Sequence, residues 1–337
     1  MVLVMVLTAL QNRCCIVLLA LTTVCSTAVG QIETISIATP PVPTTTGAEG
    51  IGDTVGYQSV VGSYFEDASG GLLQEIYFRM AIEGSKQPQD FGVNAHLGGQ
   101  ASVNWAMPLL EQHGVGLQAG TSINATGNAV RVYELLGETT GRTQSYTTVG
   151  MFQRTDSGFA WGFVHDFLYQ KFYDQFSMGQ WRFRASYDLN PCNQIGFTGI
   201  VGSYDDTGTF GGGTDVRLSS IDQMHVYWRH YWETGAQTSF WVGIADGHGE
   251  DNAVTGFSPP KDESFLFGAD VLMPLNDCLA IYGETNLMMP ADTGTVDAFL
   301  GLQWYPRIST RAARRNRFSP LFEVASPVSF STDLTRL

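Results

Sequence analysis

The stretch Phe91–Trp105 reads FGVNAHLGGQASVNW, and this stretch decides the fold class. Apolar or small residues occupy its odd-numbered positions, and polar residues or glycine occupy the even-numbered ones. An amphipathic helix repeats its apolar residues every three to four positions, so it cannot produce a period of two. The stretch therefore predicts a β-strand with one apolar and one polar face. The same alternation recurs at 74–82 and 180–189.

The alternation recurs along most of the chain and predicts twelve antiparallel strands. These are 74–82, 91–105, 115–124, 143–153, 159–170, 180–189, 194–204, 217–230, 236–246, 264–273, 277–288 and 295–305. In chain order, the even-numbered connections between the strands are mostly short turns, such as Thr155–Gly158 and Pro274–Asn276. The three long connections, 125–142, 205–216 and 247–263, all belong to the other set. Short turns at one end and longer loops at the other are typical of transmembrane β-barrels.

A soluble exported β-barrel or sandwich would also alternate, with its apolar face forming the core. Aromatic residues near the predicted strand ends favour a membrane barrel, which places interfacial girdles there. The expected girdle residues are Trp105, Trp181, Tyr187, Trp228, Trp241, Trp304 and Tyr305. The polar faces carry glycine and charges of both signs, unlike a soluble exterior. The prediction is an all-β, antiparallel up-and-down transmembrane β-barrel of about twelve strands.

Three segments flank the predicted barrel at 74–305. Residues 1–30 have the pattern of a signal peptide, because Arg13 precedes a short apolar run and small residues. Residues 31–73, rich in Pro, Thr and Gly, are expected to be a disordered linker. Residues 306–337 are rich in arginine and are expected to be a basic, disordered tail. Export followed by barrel formation predicts the bacterial outer membrane as the location.

Charge and cysteine content limit the possible partners. A net charge of −14 would repel phosphate, so nucleic acid is not an expected partner. Cys192 and Cys278 follow the predicted signal peptide, and four predicted strands separate them. That separation is too large for a disulfide, so we expect none between them.

With its strands placed, the chain resembles outer-membrane β-barrel proteins over residues 74–305. A nearer likeness is to a family of unknown function from planctomycete bacteria. It lies in DFG at 90–92 through ASVNWAMPL at 101–109, GVGLQAG at 114–120 and RTQSYTTVGMF at 142–152. The resemblance implies the barrel fold and carries no activity with it. GLQWY at 301–305 also resembles the glycine-then-aromatic strand that ends many such barrels.

No sequence motif for catalysis or cofactor binding appears, and we expect no enzyme activity, cofactor or metal site. Some twelve-stranded barrels are phospholipases that use Asn, His and Ser. The histidines here are His96, His113, His165, His225, His230 and His248. One of them would be a candidate base only beside a serine and a polar third residue. The acidic loop 246–252 could bind Ca²⁺, although it lacks EF-hand spacing.

The polar, inward face is the candidate functional surface. The predicted lumen-lining residues are Glu75, Arg79, Asn94, His96, Gln100, Arg182, Arg184, Asp188, His225, Arg229, Asp270, Glu284 and Asp297. Such charges could set the selectivity of an open pore, or pair with each other in a closed lumen. The sequence does not decide whether the linker or the tail fills the lumen.

We expect a passive channel for small polar solutes, in contact with outer-membrane lipid. The alternatives are a structural or adhesion barrel with a closed lumen, a soluble exported β-barrel, and an outer-membrane lipid hydrolase. These alternatives stay open at the level of sequence.

Overall fold

The structure is a computed structural model and describes residues 75–90, 94–130, 132–210, 213–246, 263–289 and 295–337. The predicted signal peptide and linker, 1–73, lie outside the described residues. The elements are β1 (Glu75–Lys86), β2 (His96–Leu110), β3 (Val115–Asn128), α1 (Val132–Leu136), β4 (Gly141–Arg154), β5 (Phe159–Phe172), β6 (Asp174–Asn190), β7 (Asn193–Tyr204), β8 (Asp206–Phe210), β9 (Thr214–Ser220), β10 (Gln223–Tyr231), β11 (Gln237–Asp246), β12 (Glu263–Pro274), β13 (Leu279–Met289), β14 (Val296–Trp304), α2 (Thr310–Arg315) and β15 (Thr332–Arg336). Short 3₁₀ turns lie at Pro88–Asp90 and Glu111–His113.

Twelve antiparallel strands form one closed barrel, which confirms the predicted fold class. Neighbours follow chain order, except that β7 pairs with β10, and β1 pairs with β14 to close the barrel. The predicted strand 217–230 is divided, because the chain turns at Ile221 and Asp222. The Asp222 carboxylate accepts a hydrogen bond from the Gly202 backbone N–H at 2.7 Å. The predicted loop 205–216 is thereby mostly a hairpin, β8–β9.

The outer face of the barrel wall exposes apolar side chains and the inner face buries polar ones, as expected for a wall in contact with lipid. On β1, the outward Met80 and Ile82 are 59% and 68% exposed, whereas the inward Arg79 and Glu83 are buried. A soluble protein would bury the first pair and expose the second. An apolar exterior around a polar interior is the arrangement of transmembrane barrels. Within the described residues, no helix is long and apolar enough to cross a bilayer.

The two ends of the barrel differ in their connections. Short turns such as 155–158 and 275–278 lie at the end where β1 begins and β14 ends, here called the turn end. The hairpin β8–β9 and helix α1 lie at the opposite, loop end. The predicted alternation of short and long connections is therefore present. Between β5 and β6 the loop-end connection is a single residue, Tyr173, with a positive φ of 62°.

Two of the predicted girdle residues point into the barrel, so that prediction was wrong for them. Trp241 and Tyr305 are buried, whereas Trp181 and Trp228 face outward and are exposed. Trp241 stands on the inward phase of β11, where its indole Nε1 donates to Asn286 Oδ1 at 3.2 Å. The alternation phase of a strand, and not nearness to its end, decides which face a residue occupies.

The prediction of a disordered tail at 306–337 was also wrong. The segment begins at the turn end, where Thr310 N donates to Asp277 O at 2.8 Å. It then runs through the lumen and ends at the loop end, where β15 pairs with β9 in a three-stranded sheet with β8. Arginines such as Arg307 and Arg311 stay exposed near the turn end. The rest folds inside because residues 318–334 are mostly apolar and small.

Candidate functional site

The backbone of the C-terminal segment, residues 306–337, is held by side chains of the barrel wall. Its carbonyl oxygens accept hydrogen bonds from Arg154 (to Ser319, 3.1 Å), Arg184 (to Leu321, 2.8 Å), Asn104 (to Phe322, 2.8 Å), Arg182 (to Glu323, 2.8 Å), Ser122 (to Ala325, 2.9 Å) and Gln180 (to Ser329, 2.9 Å). The N–H groups of Leu321 and Phe322 donate to Gln118 Oε1 at 3.0 and 3.1 Å. A buried irregular segment must satisfy its polar backbone groups, and here polar wall side chains do so.

Leu321, Phe322 and Phe330 of the segment pack on the β4–β6 side of the wall, whereas Ala313 and Val328 pack against residues of β1 and β12–β14. Phe322 and Leu321 contact Phe152 and Val164 in one buried cluster. Phe330 packs in a second cluster, which includes residues of β4–β6 and of the hairpin β8–β9. Each fully buried apolar side chain contributes about 1.5–3 kcal/mol. Packing and backbone hydrogen bonds together make the segment an integral part of the barrel.

Glu323 is fixed by an ion pair with the wall. Its Oε2 lies 2.6 Å from Arg79 Nη2, and it accepts a hydrogen bond from the Tyr77 hydroxyl. Arg79 also donates to Gln303 Oε1 at 2.8 Å, and its Cζ lies 3.7 Å from the ring centroid of Tyr282. Charge-assisted hydrogen bonds and cation–π contact are both favourable for a guanidinium in such a site. The contact fixes the position of the segment along the lumen.

One glycine of the wall makes room for the segment. A Cβ at Gly120 on β3 would lie 2.4 Å from Val324 Cγ2, a distance that real Cβ atoms do not reach. We therefore expect Gly120→Leu to displace the segment and to increase cleavage within 316–337 by added protease. Gly127→Leu is the matched control on the same strand, because its nearest neighbour would be Thr140 O at 3.9 Å. Equal cleavage of the two variants would contradict this contact.

Of the described residues in the loop between β1 and β2, 87–90 and 94 are buried at the loop end. Asp90 Oδ1 lies 3.1 Å from His96 Nε2, and Asp90 Oδ2 lies 3.7 Å from Arg142 Nη1. Burial raises the pKa of Asp90, but hydrogen bonding to His96 and the charge of Arg142 outweigh it and hold the pKa below its usual value. The charged Asp90 is therefore a structural anchor of this loop.

Beside the C-terminal segment, the lumen contains a cavity along β7 and β10–β13. The cavity has a volume of about 130 Å³. This is roughly ten times the volume that one buried water molecule requires. The inward residues of β10 all line it, namely Gln223, His225, Tyr227, Arg229 and Tyr231. The cavity thus follows this strand along its whole length, from the loop end to the turn end.

Charges of both signs meet halfway along this cavity. The strand registers place Arg229, Ser239, Asp270 and Glu284 side by side on β10–β13. Arg229 donates to Ser239 Oγ at 2.8 Å and to Asp270 Oδ2 at 3.4 Å. The Tyr282 hydroxyl donates to Glu284 Oε2 at 2.9 Å. A row of this kind suits contact with hydrated or polar solutes rather than apolar ones.

The predicted lumen residues fall into three groups, and none points outward. Glu75, Arg79, Arg182 and Arg184 contact the C-terminal segment. His225, Arg229, Asp270 and Glu284 line the cavity, as do Glu75, Arg182 and Arg184. Asn94, His96, Gln100, Asp188 and Asp297 lie inward but away from the cavity. Sequence reasoning missed Gln118, Ser122 and Glu323, although the first two stand on the polar phase of a predicted strand.

One histidine meets the distance expected of a catalytic pair. His165 Nε2 lies 3.0 Å from Ser203 Oγ on the outward face, beside Trp181 and Tyr204. Within the described residues, no polar side chain bonds to the other ring nitrogen, so the required third residue is missing. This contact alone does not make a catalytic site.

The described residues contain neither a metal-binding cluster nor a disulfide. No group of three or more His, Cys, Asp or Glu side chains in the described part of the chain is placed to bind a metal. The acidic loop 246–252 lies outside the described residues apart from Asp246. Cys192 and Cys278 are not joined by a disulfide.

Solved structures with a similar fold are outer-membrane proteins. The KdgM porin is 6% identical, with 67% of this chain and 98% of that chain covered and a TM-score of 0.37. The NanC porin is 8% identical, with the same coverages and a TM-score of 0.41. Outer membrane phospholipase A from Escherichia coli is 8% identical, with 68% and 92% covered and a TM-score of 0.38. Such loose similarity transfers no activity.

Comparison by sequence identifies the family. No curated protein matches the chain. The family of unknown function DUF6666 matches residues 75–332. The match continues beyond β14 into the C-terminal segment, as far as residue 332. The family model therefore includes most of this segment as well as the barrel. A planctomycete origin of the family stays a prediction. The chain is therefore a member of family DUF6666, whose function is unknown.

Proposed function

We propose that this protein is an outer-membrane β-barrel that passes small polar solutes through a lumen narrowed by its own C-terminal segment. The turn end would face the periplasm and the loop end the exterior, as the lengths of the connections favour. The apolar outward face is suited to outer-membrane lipid.

The observation that carries this proposal is the cavity along β10. It reaches every inward residue of that strand and is lined by charged and polar side chains at mid-depth. Polar solutes need such groups to replace their water of hydration. Because the C-terminal segment lies against strands β1–β6, the passage would be narrower than an empty twelve-stranded barrel.

Filling the cavity tests the proposal. We expect Ser239→Trp to abolish the small single-channel steps of the refolded protein in planar bilayers, because residue 239 is buried inside the cavity. Phe240→Trp is the matched control, since the next side chain on β11 points outward and is 51% exposed. Steps of equal size in both variants would show that ions do not use this cavity.

A structural barrel with a closed lumen is the second candidate. It is favoured by the apolar side chains that line the cavity, Trp241 and Leu266 toward the loop end and Ile308 and Ala313 at the turn end. The sheet of β8, β9 and β15 would then be its exposed interaction element. Folded wild-type protein that inserts into bilayers without any conductance would favour this candidate.

A further inference from the structure

We propose that Arg184, Thr198, Gln223 and His225 form an anion-binding site in the lumen cavity, suited to a small carboxylate or phosphate-bearing solute. This inference deepens the proposed channel function, because it names the class of solute that the passage would hold. It concerns the β6–β7–β10 side of the cavity, away from the carboxylates of Asp270 and Glu284.

Arg184 interacts with Glu323 at longer range, but the Glu323 carboxylate forms its ion pair with Arg79. Arg79, Arg182 and Arg229 each form an ion pair, with Glu323, Asp166 and Asp270. Within the described residues, Arg184 has no carboxylate within ion-pair distance. Its Nη1 donates to Leu321 O, and its Cζ lies 5.5 Å from the Tyr227 ring centroid and 5.2 Å from that of Phe322. An unpaired guanidinium in a lumen attracts anions.

The polar atoms around Arg184 are mostly donors that are not used within the protein. Arg184 Nε, Thr198 Oγ1, Gln223 Nε2 and His225 Nδ1 are shielded from solvent and have no hydrogen-bond partner among the described residues. Arg184 Nε and Gln223 Nε2 can only donate, and the Thr198 hydroxyl and a suitably protonated His225 can donate as well. Buried polar groups are normally satisfied, so a cluster of unsatisfied donors indicates an acceptor.

The strand registers bring these residues together. Arg184 on β6 is opposite Thr198 on β7, and Thr198 is opposite His225 on β10. Gln223 is the next inward residue on β10, and all of these residues line the cavity. Room for roughly ten water molecules is enough for acetate or inorganic phosphate but not for a large solute. An anion with several acceptor oxygens matches this arrangement better than a single water, which offers only two acceptor positions.

Calorimetric titration of the folded full chain in detergent with inorganic phosphate, and separately with acetate, tests the site. We expect saturable binding of at least one of them, weakened about tenfold or more in Arg184→Gln, because a charge-assisted hydrogen bond is lost. Arg217→Gln is the charge-matched control, because Arg217 is half-exposed in the loop-end hairpin. Thr198→Val, which leaves the contact of Arg184 with Leu321 intact, is expected to weaken binding severalfold.

The outcomes separate this site from the channel. Absence of saturable binding, or equal affinity in wild type, Arg184→Gln and Thr198→Val, would overturn the site even if the barrel conducts. Binding that depends on Arg184 and Thr198 in a barrel that never conducts would support the site and refute the channel.

Discussion

Removal of residues 316–337 is expected to raise the single-channel conductance about fivefold or more, toward that of an unobstructed twelve-stranded barrel. The reason is that this part of the C-terminal segment crosses the lumen along strands β1–β6, from Glu75 at the turn end to β15 at the loop end. Its deletion would also expose the polar side chains that now bind its backbone, such as Gln118 and Arg182. Planar-bilayer recordings of the refolded protein measure the change directly.

The deletion needs a companion variant, because a barrel without its filling segment can fail to fold. Gly120→Leu retains every residue of the segment, and its closest clash is with Val324 of the segment. It is expected to give larger or more variable steps than Gly127→Leu. If both the deletion and Gly120→Leu conduct like the wild type, the segment does not restrict the passage.

Asp166→Ala is expected to destabilise the barrel by about 3–5 kcal/mol, because it leaves a buried arginine without its partner. Asp166 is fully buried and accepts two hydrogen bonds from Arg182, at 2.5 and 2.9 Å. It also accepts from Thr148 at 2.7 Å and from Gln180 at 2.9 Å. Urea unfolding followed by tryptophan fluorescence gives the difference in free energy.

A surface ion pair provides the control for that prediction. Arg217 and Asp205 lie 3.4 Å apart and are each about half exposed. Exposed pairs contribute roughly 0–1 kcal/mol, so Asp205→Ala should change stability little. Equal effects of the two substitutions would mean that the Asp166–Arg182 pair is hydrated rather than buried.

Strand number and the inward polar face were predictable because both follow from period-two alternation. On β1, the alternation correctly separates the outward Met80 and Ile82 from the inward Arg79 and Glu83. The same rule missed the hairpin β8–β9, since its strands continue the alternation outside the barrel. Which inward charges bind the C-terminal segment and which line the cavity depends on contacts between residues far apart in sequence, which a local pattern does not contain.

The sequence of strand β5 carries a signal for the position of the C-terminal segment. Strand β5 carries apolar residues on both faces, with Val164 and Leu168 inward and Phe163 and Phe167 outward. A lumen-facing position filled by Val or Leu requires an apolar partner inside the barrel. Residues 318–334 supply that partner, but the arginines before them gave the whole tail a basic character.

The central claim is that the C-terminal segment passes through the lumen from the turn end to the loop end. Labelling of intact cells with a large, membrane-impermeant maleimide tests it, using Leu337→Cys and Arg307→Cys, both at exposed positions. Wild-type protein, with Cys192 in a turn-end connection, reports the background. We predict labelling of Leu337→Cys in intact cells, and labelling of Arg307→Cys only after the outer membrane is permeabilised. Labelling of both variants only after permeabilisation would contradict the claim, because residue 337 would then lie on the same side as residue 307.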